Sequence, residues 1–354
     1  MSPVSVAAHS DTAGSPEEAG EAGEPGPALR VSVVICAYTR DRWASTMAAV
    51  ASVREQSAPA HEVILVVDHN ADLCRDFAAA VCDGITLPDV IAAPKVTVLP
   101  NAGPQGLSGG KNTGVQAATG EIVAFLDDDA IAHRDWLSQL AAGYHDGQVQ
   151  GVGGLTLPAW EGRRPRWFPG ELDWVVGCTY TGMPPSPAAV RNLHGGNASF
   201  RRDAFAAAGG FADGVGRSAL GPRSGCEDTE FCIRLARRLP GARLLFNDRA
   251  VIWHQVPAAR ARASYVAARC YAEGRSKAQV TRRAGLTEGL STERRYVRRA
   301  LPAGFARALA DLARGDAGGG GRAAAIVLAL TAAAAGFARG RASALMAPPR
   351  RRSR

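Results

Sequence analysis

Aromatic residues make up only 6% of the 354 positions, and they are not interleaved with the arginine-rich stretches. That disfavours binding of nucleic acid by base stacking. The seven cysteines (Cys36, Cys74, Cys82, Cys178, Cys226, Cys232 and Cys270) are odd in number and include no Cys-x-x-Cys pair. This argues against a disulfide framework or a structural zinc site, and for a reducing compartment. The N-terminus has no cationic start followed by an apolar core, so no secretory signal peptide is expected. The uncharged stretch Ala323 to Ala338 is 16 residues long and dominated by Ala. A spanning helix needs roughly 20 strongly apolar residues, so a core or interfacial helix is expected instead.

Three catalytic signatures are also missing. Gly109-Gly110-Lys111-Asn112 has Gln105 where a phosphate loop needs its first Gly, and Asn112 where it needs Ser or Thr. The loop at residues 36–42 has no Gly-x-Gly-x-x-Gly, which disfavours a dinucleotide site. No Ser stands in a Gly-x-Ser-x-Gly elbow.

Present instead is a chain long enough for one large α/β domain with an appendage, or for two domains. Its net charge of +8 is unevenly spread. Residues 257–354 hold 20 Lys and Arg against 5 Asp and Glu, while residues 1–256 hold 21 against 28. A basic C-terminal region suits a polyanion such as an anionic membrane surface or a phosphate-bearing substrate. Residues 1–29, rich in Gly, Pro, Ser, Ala and acids, are expected to be disordered. Arg350, Arg351, Arg352 and Arg354 are expected to form a flexible basic tail.

From Val31 the chain alternates apolar strands with helices. Strands are expected at 31–36, 62–67, 96–99 and 121–126, and helices at about 43–56, 72–82 and 109–118. Short connections between them predict right-handed crossovers and a mostly parallel sheet. Each strand then ends in polar residues on one edge: Thr39, Asp68, and Asp127 with Asp129. Open α/β sheets bind ligands at that edge. Residues 158–187, with Trp160, Trp167 and Trp174, read as an irregular ordered insert. An amphipathic helix is expected over 225–239, with Glu227 and Asp228 in its first turn, and a strand closing at His254.

Phe125-Leu126-Asp127-Asp128-Asp129 is the centre of this pattern. Three adjacent acids repel one another unless a cation neutralises them, although an acidic turn is the plain alternative. Mg2+ or Mn2+ takes hard oxygen ligands, one or two of them protein carboxylates and the rest phosphate oxygens and water. Asp127 and Asp129 fit that demand. His254 could add an imidazole, or could be a capping or core histidine. Alternation along an extended chain points Asp128 away from its neighbours, so it is given no chemical role.

In this order the motifs resemble a family 2 glycosyltransferase with the GT-A fold. They are the strand ending near Thr39, Asp68, Leu126-Asp127-Asp128-Asp129, Gly195-Gly196-Asn197 with Phe200-Arg201, Gly225-Cys226-Glu227-Asp228-Thr229-Glu230 with Ile233-Arg234-Leu235, and His254. The resemblance covers residues 31–256. The segment Arg269 to Ala278 is similar to a bacterial subgroup described as glucosyl-dolichyl-phosphate glucuronosyltransferase-like. It implies a GT-A domain over 30–256 and a mainly helical basic region over 257–354. Ala37, Tyr38 and Thr39 would hold the nucleotide base, and Asp68 the uracil or ribose. Asp127 would contact ribose or metal, Asp129 would ligate the metal, and Gly195, Gly196 and Asn197 would let the backbone approach the donor sugar. Asp228 would be the general base, with Glu227 as competitor, which implies inversion at the anomeric carbon.

Two departures stand out. Asp68-His69 occupies the place of two consecutive acids, and Lys111-Asn112 that of Arg-Asn, so phosphate or Asp pairing at Lys111 would differ. Trp160, Trp167 and Trp174 are an acceptor platform or a small core of the insert.

The expected reaction moves a sugar from a nucleotide-diphosphate donor, uridine-linked, to a saccharide, lipid-linked or small-molecule acceptor. The expected location is cytoplasmic, at the inner face of the cell membrane, with residues 257–354 against anionic lipid. Alternatives are a nucleotidyltransferase, which would release pyrophosphate, and a non-catalytic nucleotide-sugar-binding scaffold. Nucleic acid is not an expected partner.

Overall fold

The computed structural model describes residues 29–82, 93–213 and 225–345. The N-terminal segment up to residue 28 and the terminal arginines therefore lie outside the described residues. The described strands are β1 (Val31–Ala37), β2 (Glu62–Val67), β3 (Lys95–Pro100), β4 (Ile122–Asp127), β5 (Ala130–Ala132), β6 (Val149–Trp160), β7 (Ala188–Ala189), β8 (Asn197–Arg201) and β9 (Arg243–Val256). They form one sheet in the order β3-β2-β1-β4-β8-β6-β9-β5, with β7 pairing on β9.

The first half is the expected parallel unit: β1 pairs in parallel with β2 and β4, and β2 with β3. Helices α1 (Trp43–Arg54), α2 (Ala71–Cys82) and α3 (Leu107–Ala117) make the crossovers. Beyond β4 the sheet becomes mixed. Strand β8 runs antiparallel to both β4 and β6, while β6 and β9 are parallel. Strand β6, within 149–160, is a long element that the glycine-rich sequence Gly151-Val152-Gly153-Gly154 conceals. The remaining helices are α4 (Trp136–Ala141), α5 (Arg202–Ala208), α6 (Glu227–Arg238), α7 (Ala263–Ala284), α8 (Leu286–Gly289), α9 (Ser291–Arg295), α10 (Leu301–Ala313) and α11 (Gly318–Leu345).

The central strands read as continuous apolar runs because both of their faces are covered. On one face Val33 and Ile35 of β1 join Val50, Val53, Phe77 and Trp136. On the other, Val34 joins Phe125, Phe200, Phe205, Phe211 and Phe231. Full burial of each such side chain contributes roughly 1.5–3 kcal/mol. A third cluster ties the insert, through Phe168, Leu172, Val175 and Val176, to Val266, Cys270, Leu301 and Ile326 of the C-terminal helices.

Two polar contacts fasten the same seam. Tyr296 donates its hydroxyl to the Glu171 carbonyl at 2.7 Å, and Arg307 pairs with the buried Glu171 carboxylate. Helix α11 lies so close to α7 that a Cβ at Gly274 or Gly336 would collide with the backbone of Ala333 or Tyr271. The uncharged stretch 323–338 thus sits within a 28-residue helix, longer than the run itself. This is the one helix among the described residues long and apolar enough to cross a membrane by length and composition, and 28% of its most apolar window is buried.

Candidate active site

The C-terminal edge of the parallel strands gathers the expected residues. Ala37 ends β1 beside Val67, Asp68 follows β2 with its N–H donating to the Ala37 carbonyl at 2.8 Å, and Asp127 ends β4 beside Cys36. Tyr38 is 52% exposed at this edge, with the Arg42 guanidinium 5.4 Å from its ring centre. Thr39 Oγ1 accepts from the Asp41 N–H and starts the short helical turn at 40–42. The Asp68 carboxylate is already engaged. Its oxygens accept from Asn101 Nδ2 at 2.6 Å and from the Gly106 N–H at 2.9 Å, which fixes the loop before α3.

Asp127, Asp129 and His254 converge, each offering a ligand atom within 4.8 Å of the others. His254 is delivered by β9, which pairs antiparallel with β5 so that Ala130 faces His254 in register. Its Nδ1 lies 3.1 Å from Asp129 Oδ1. Its Nε2 lies 2.9 Å from Arg260 Nη1. A guanidinium can only donate, so Nε2 accepts and the Nδ1 proton faces Asp129; an ion would take a ring nitrogen only in exchange for one of these two bonds. Burial opposes ionisation of Asp129, but His254, Arg42 and Arg260 outweigh it and hold the carboxyl well below its usual range. Two carboxylates and an imidazole are a donor set suited to Mg2+ or Mn2+.

Asp128 stands outside this group and is not idle. It is buried, accepts from Arg42 Nη1 at 2.6 Å, and its Oδ2 has no partner. It anchors the arginine that also reaches Asp129.

Across the edge lies the second half of the site. Asp228, in the first turn of α6, accepts from the Gly195 N–H at 2.9 Å through Oδ2 and from its own neighbour, the Thr229 N–H, at 2.7 Å through Oδ1. Gly196 rests on Asp127 so closely that a Cβ there would collide with the carboxylate. Glycine is required by that approach.

Lys111 is buried between the halves. Its Nζ is 3.5 Å from Glu227 Oε1, and 5.5 and 5.2 Å from the Phe125 and Phe211 ring centres. Burial alone would lower its pKa, yet Glu227, Asp127 and Asp228 raise it, so Lys111 is a cation. Helix α3 can carry it here because Gly114 lets the helix lie against Val34; a Cβ there would collide with that side chain.

The other expected contacts divide. Asn197 is fully buried, accepting from Trp136 Nε1 at 2.8 Å and donating to the carbonyls of Leu155 and Ala250 at 3.1 Å each. Its amide locks β8, β6, β9 and α4 together and has nothing left for a ligand. Trp160 and Trp167 pack on Phe168 at 5.2 and 5.6 Å and belong to the core of the insert. Trp174 differs: it lines a cavity of about 790 Å³ that also takes in Lys111, Asp127 and Asp228.

The far wall of that cavity was not assigned a chemical role from sequence. Arg269, Glu273 and Lys277 of α7 line it, one helical turn apart, with Glu293 and Arg191 beyond them. Their charges alternate: Arg269–Glu273 at 2.8 Å, Glu273–Lys277 at 3.5 Å, Lys277–Glu293 at 2.7 Å and Glu293–Arg191 at 2.8 Å. Burial opposes the charge on Glu273, but Arg269 and Lys277 hold its carboxyl at about 2. Lys277 and Arg191 hold Glu293 at about 2 against the same opposition. Glu273 also accepts from Cys226 Sγ at 3.2 Å, just before Glu227. The spacing Arg-x3-Glu-x3-Lys was the available signal.

An edge of acids facing a cleft roofed by helices is the layout of an enzyme that moves a group between two bound substrates. The model of "Glycosyl transferase family 2" matches residues 32–209, and that of "Glycosyl transferase family group 2" matches residues 122–312. The chain is 32% identical over 250 residues to a glucosyl-dolichyl phosphate glucuronosyltransferase of Haloferax volcanii, covering 70% of this chain and 76% of that one. It is 26% identical over 268 residues to the succinoglycan biosynthesis protein ExoM of Rhizobium meliloti, covering 71% and 75%. Among solved structures it resembles the mannosyltransferase PcManGT from Pyrobaculum calidifontis, in complex with GDP-Man and Mn2+, with a TM-score of 0.54 and 20% identity over 88% of this chain and 87% of that one. The chain belongs to glycosyl transferase family 2. It is a glycosyltransferase with the GT-A fold, and the nucleotidyltransferase and scaffold alternatives give way.

Proposed function

We propose that this glycosyltransferase moves a sugar from a uridine diphosphate sugar to a hydroxyl of a lipid-linked saccharide, with inversion at the anomeric carbon and with Mg2+ or Mn2+. The observation that carries the reading is the meeting in one cavity of Asp127, beside Asp129 and His254, with Asp228, each set against one of the adjacent glycines Gly196 and Gly195. Asp127, Asp129 and His254 would hold the ion, which when bound would offset the charge gathering on the departing diphosphate. Ala37, Tyr38 and Thr39 frame the base at the exposed end of β1. Asp68 shapes the loop before α3 through Asn101 and Gly106, and its contact with base or ribose runs past those bonds.

Lys111 brings a buried positive charge to the same side. Gly195 and Gly196 give the sugar a close backbone surface. Asp228 takes the acceptor hydroxyl proton as the oxygen attacks, and a single base on that face gives a single displacement. The Gly195 N–H orients its carboxylate. Glu227, committed to Lys111, is the weaker candidate for the base.

The acceptor side is apolar where α11 lines it with Ala329, Ala333 and Phe337, and Trp174 faces it from the insert. That suits a saccharide on a lipid carrier, in keeping with the name of the Haloferax volcanii relative. The helical region from residue 257 lies against the anionic cytoplasmic face of the membrane. Exposed Leu309 and Leu312 of α10 and Val327 of α11, near Arg307 and Arg314, support that contact.

A thermal-shift screen of UDP- and GDP-sugars with and without Mn2+ tests the donor and the metal together. The reading expects a UDP-sugar to raise the melting temperature only with Mn2+. An equal shift without metal, or a GDP-sugar outperforming every UDP-sugar, would sink that part of it.

A further inference from the structure

Asp129 is crowded by cations. Arg42 Nη2 lies 3.1 Å and Arg260 Nη2 3.6 Å from its Oδ2, while Arg260 Nη1 also meets His254 Nε2 at 2.9 Å. Two of the three metal-ligating side chains are therefore shared with guanidinium groups. The side chains are 22% and 12% exposed, so both positive charges are largely removed from water. Arg42 spends its other arm on Asp128, and Val176 offers Arg260 a carbonyl at 3.4 Å.

The charge balance has a direct consequence. Arg42 pairs with Asp128 and Asp129 and Arg260 with Asp129, so the two guanidiniums offset all but about one of the negative charges of Asp127, Asp128 and Asp129. A bare divalent cation would turn the centre net positive in a place with little water to screen the excess. A diphosphate reverses that excess, and guanidinium forks match phosphate oxygens well. We infer that Arg42 and Arg260 couple the metal to the nucleotide diphosphate, opposing the ion alone and favouring the ion–diphosphate pair. The inference rests on the metal site proposed above. It gives Arg260, on the turn between β9 and α7, a positioning role in donor binding. Coupling of this kind is reciprocal: whatever factor the diphosphate adds to metal affinity, the metal adds to diphosphate affinity.

The test is Mn2+ binding to the full chain, read from the electron paramagnetic resonance of free Mn2+, with Mn2+ alone and with UDP or GDP. Wild type should bind Mn2+ weakly alone and at least about tenfold tighter with the nucleotide. Arg260→Gln should bind Mn2+ alone about tenfold tighter than wild type, and the gain from nucleotide should shrink. Arg260→Lys, which keeps the charge but not the fork, should stay near wild type with Mn2+ alone, and Asp129→Asn should lose binding throughout. Melting temperatures report folding, and Arg42→Gln makes the same comparison from the second guanidinium if Arg260→Gln does not fold. Unchanged or weaker Mn2+ affinity in Arg260→Gln, with the nucleotide gain intact, overturns the inference and leaves the metal site standing. Wild type that holds no Mn2+ with either nucleotide overturns the metal site and the inference together.

Discussion

Two adjacent acids, Glu227 and Asp228, carry different burdens, and substitution separates them. Glu227 is buried beside the Lys111 cation, so Glu227→Gln removes the acid that favours that charge most and leaves it to Asp127 and Asp228. The expected cost is about 3 kcal/mol, seen as a lowered urea midpoint. Asp228 is oriented by backbone N–H groups and faces the cavity. Asp228→Asn should keep the melting temperature and nucleotide binding while cutting turnover by roughly 10²–10⁴-fold, the span of general-base catalysis. Normal turnover in that variant removes Asp228 as the base. Asn197 belongs with the stabilising residues. Asn197→Ala would leave Trp136 Nε1 and two carbonyls without partners, at a cost of about 3 kcal/mol or more in chemical denaturation. The doublet Gly195-Gly196 was read as an approach to the donor sugar, and the approach the structure holds at Gly196 is to the Asp127 carboxylate. The inward turn of Asn197 was not legible, because a sequence does not tell a buried amide from an exposed one.

Helix α7 is the element whose role changes most. Its stripe Arg269, Glu273 and Lys277 forms a cavity wall and reaches Cys226, the residue before Glu227. The network has a definite pH signature. Glu273 and Glu293 sit near 2 in the folded chain, against an ordinary 4.5. The unfolded state therefore binds more protons between those values. Their stabilisation is complete above about pH 4.5 and is lost as pH falls towards 2. Urea midpoints should hold from pH 7 to 5 and drop steeply below 4, and the drop should be shallower in Glu273→Gln. An equal drop in that variant would show that the stripe contributes little. Strands β1, β2 and β4 were legible as apolar runs because both of their faces are buried. Strand β6 was not, since its glycines make room for Leu193 and Asn197 and leave little hydrophobic pattern.

Across the whole molecule, the GT-A sheet and the C-terminal helices enclose one cavity through the insert. Trp174 donates to the Tyr296 hydroxyl at 3.0 Å at that junction. A donor edge at one end and an apolar, basic wall at the other suit a water-soluble donor and a membrane-borne acceptor. The full chain should sediment with vesicles containing anionic lipid and be released as salt rises past about 0.5 M, since screening shortens the reach of its arginines. Leu309→Glu with Leu312→Glu should weaken that binding several-fold and leave Mn2+ binding intact. Equal sedimentation with neutral vesicles would discount the charge, and none with either composition would discount the surface.

By itself, the sequence determined the alternation of strands and helices and the polar ends that mark one sheet edge. It also carried the order of motifs that defines the family, since local patterning and short spacing are written along the chain. Only the tertiary structure decided that Asp127, Asp129 and His254 meet. Those contacts span more than 120 residues and depend on β9 pairing with β5. It also decided that two arginines share Asp129, that Asn197 turns inward, and that α7 closes the cavity. Each is a long-range contact whose partners the chain brings together only by packing.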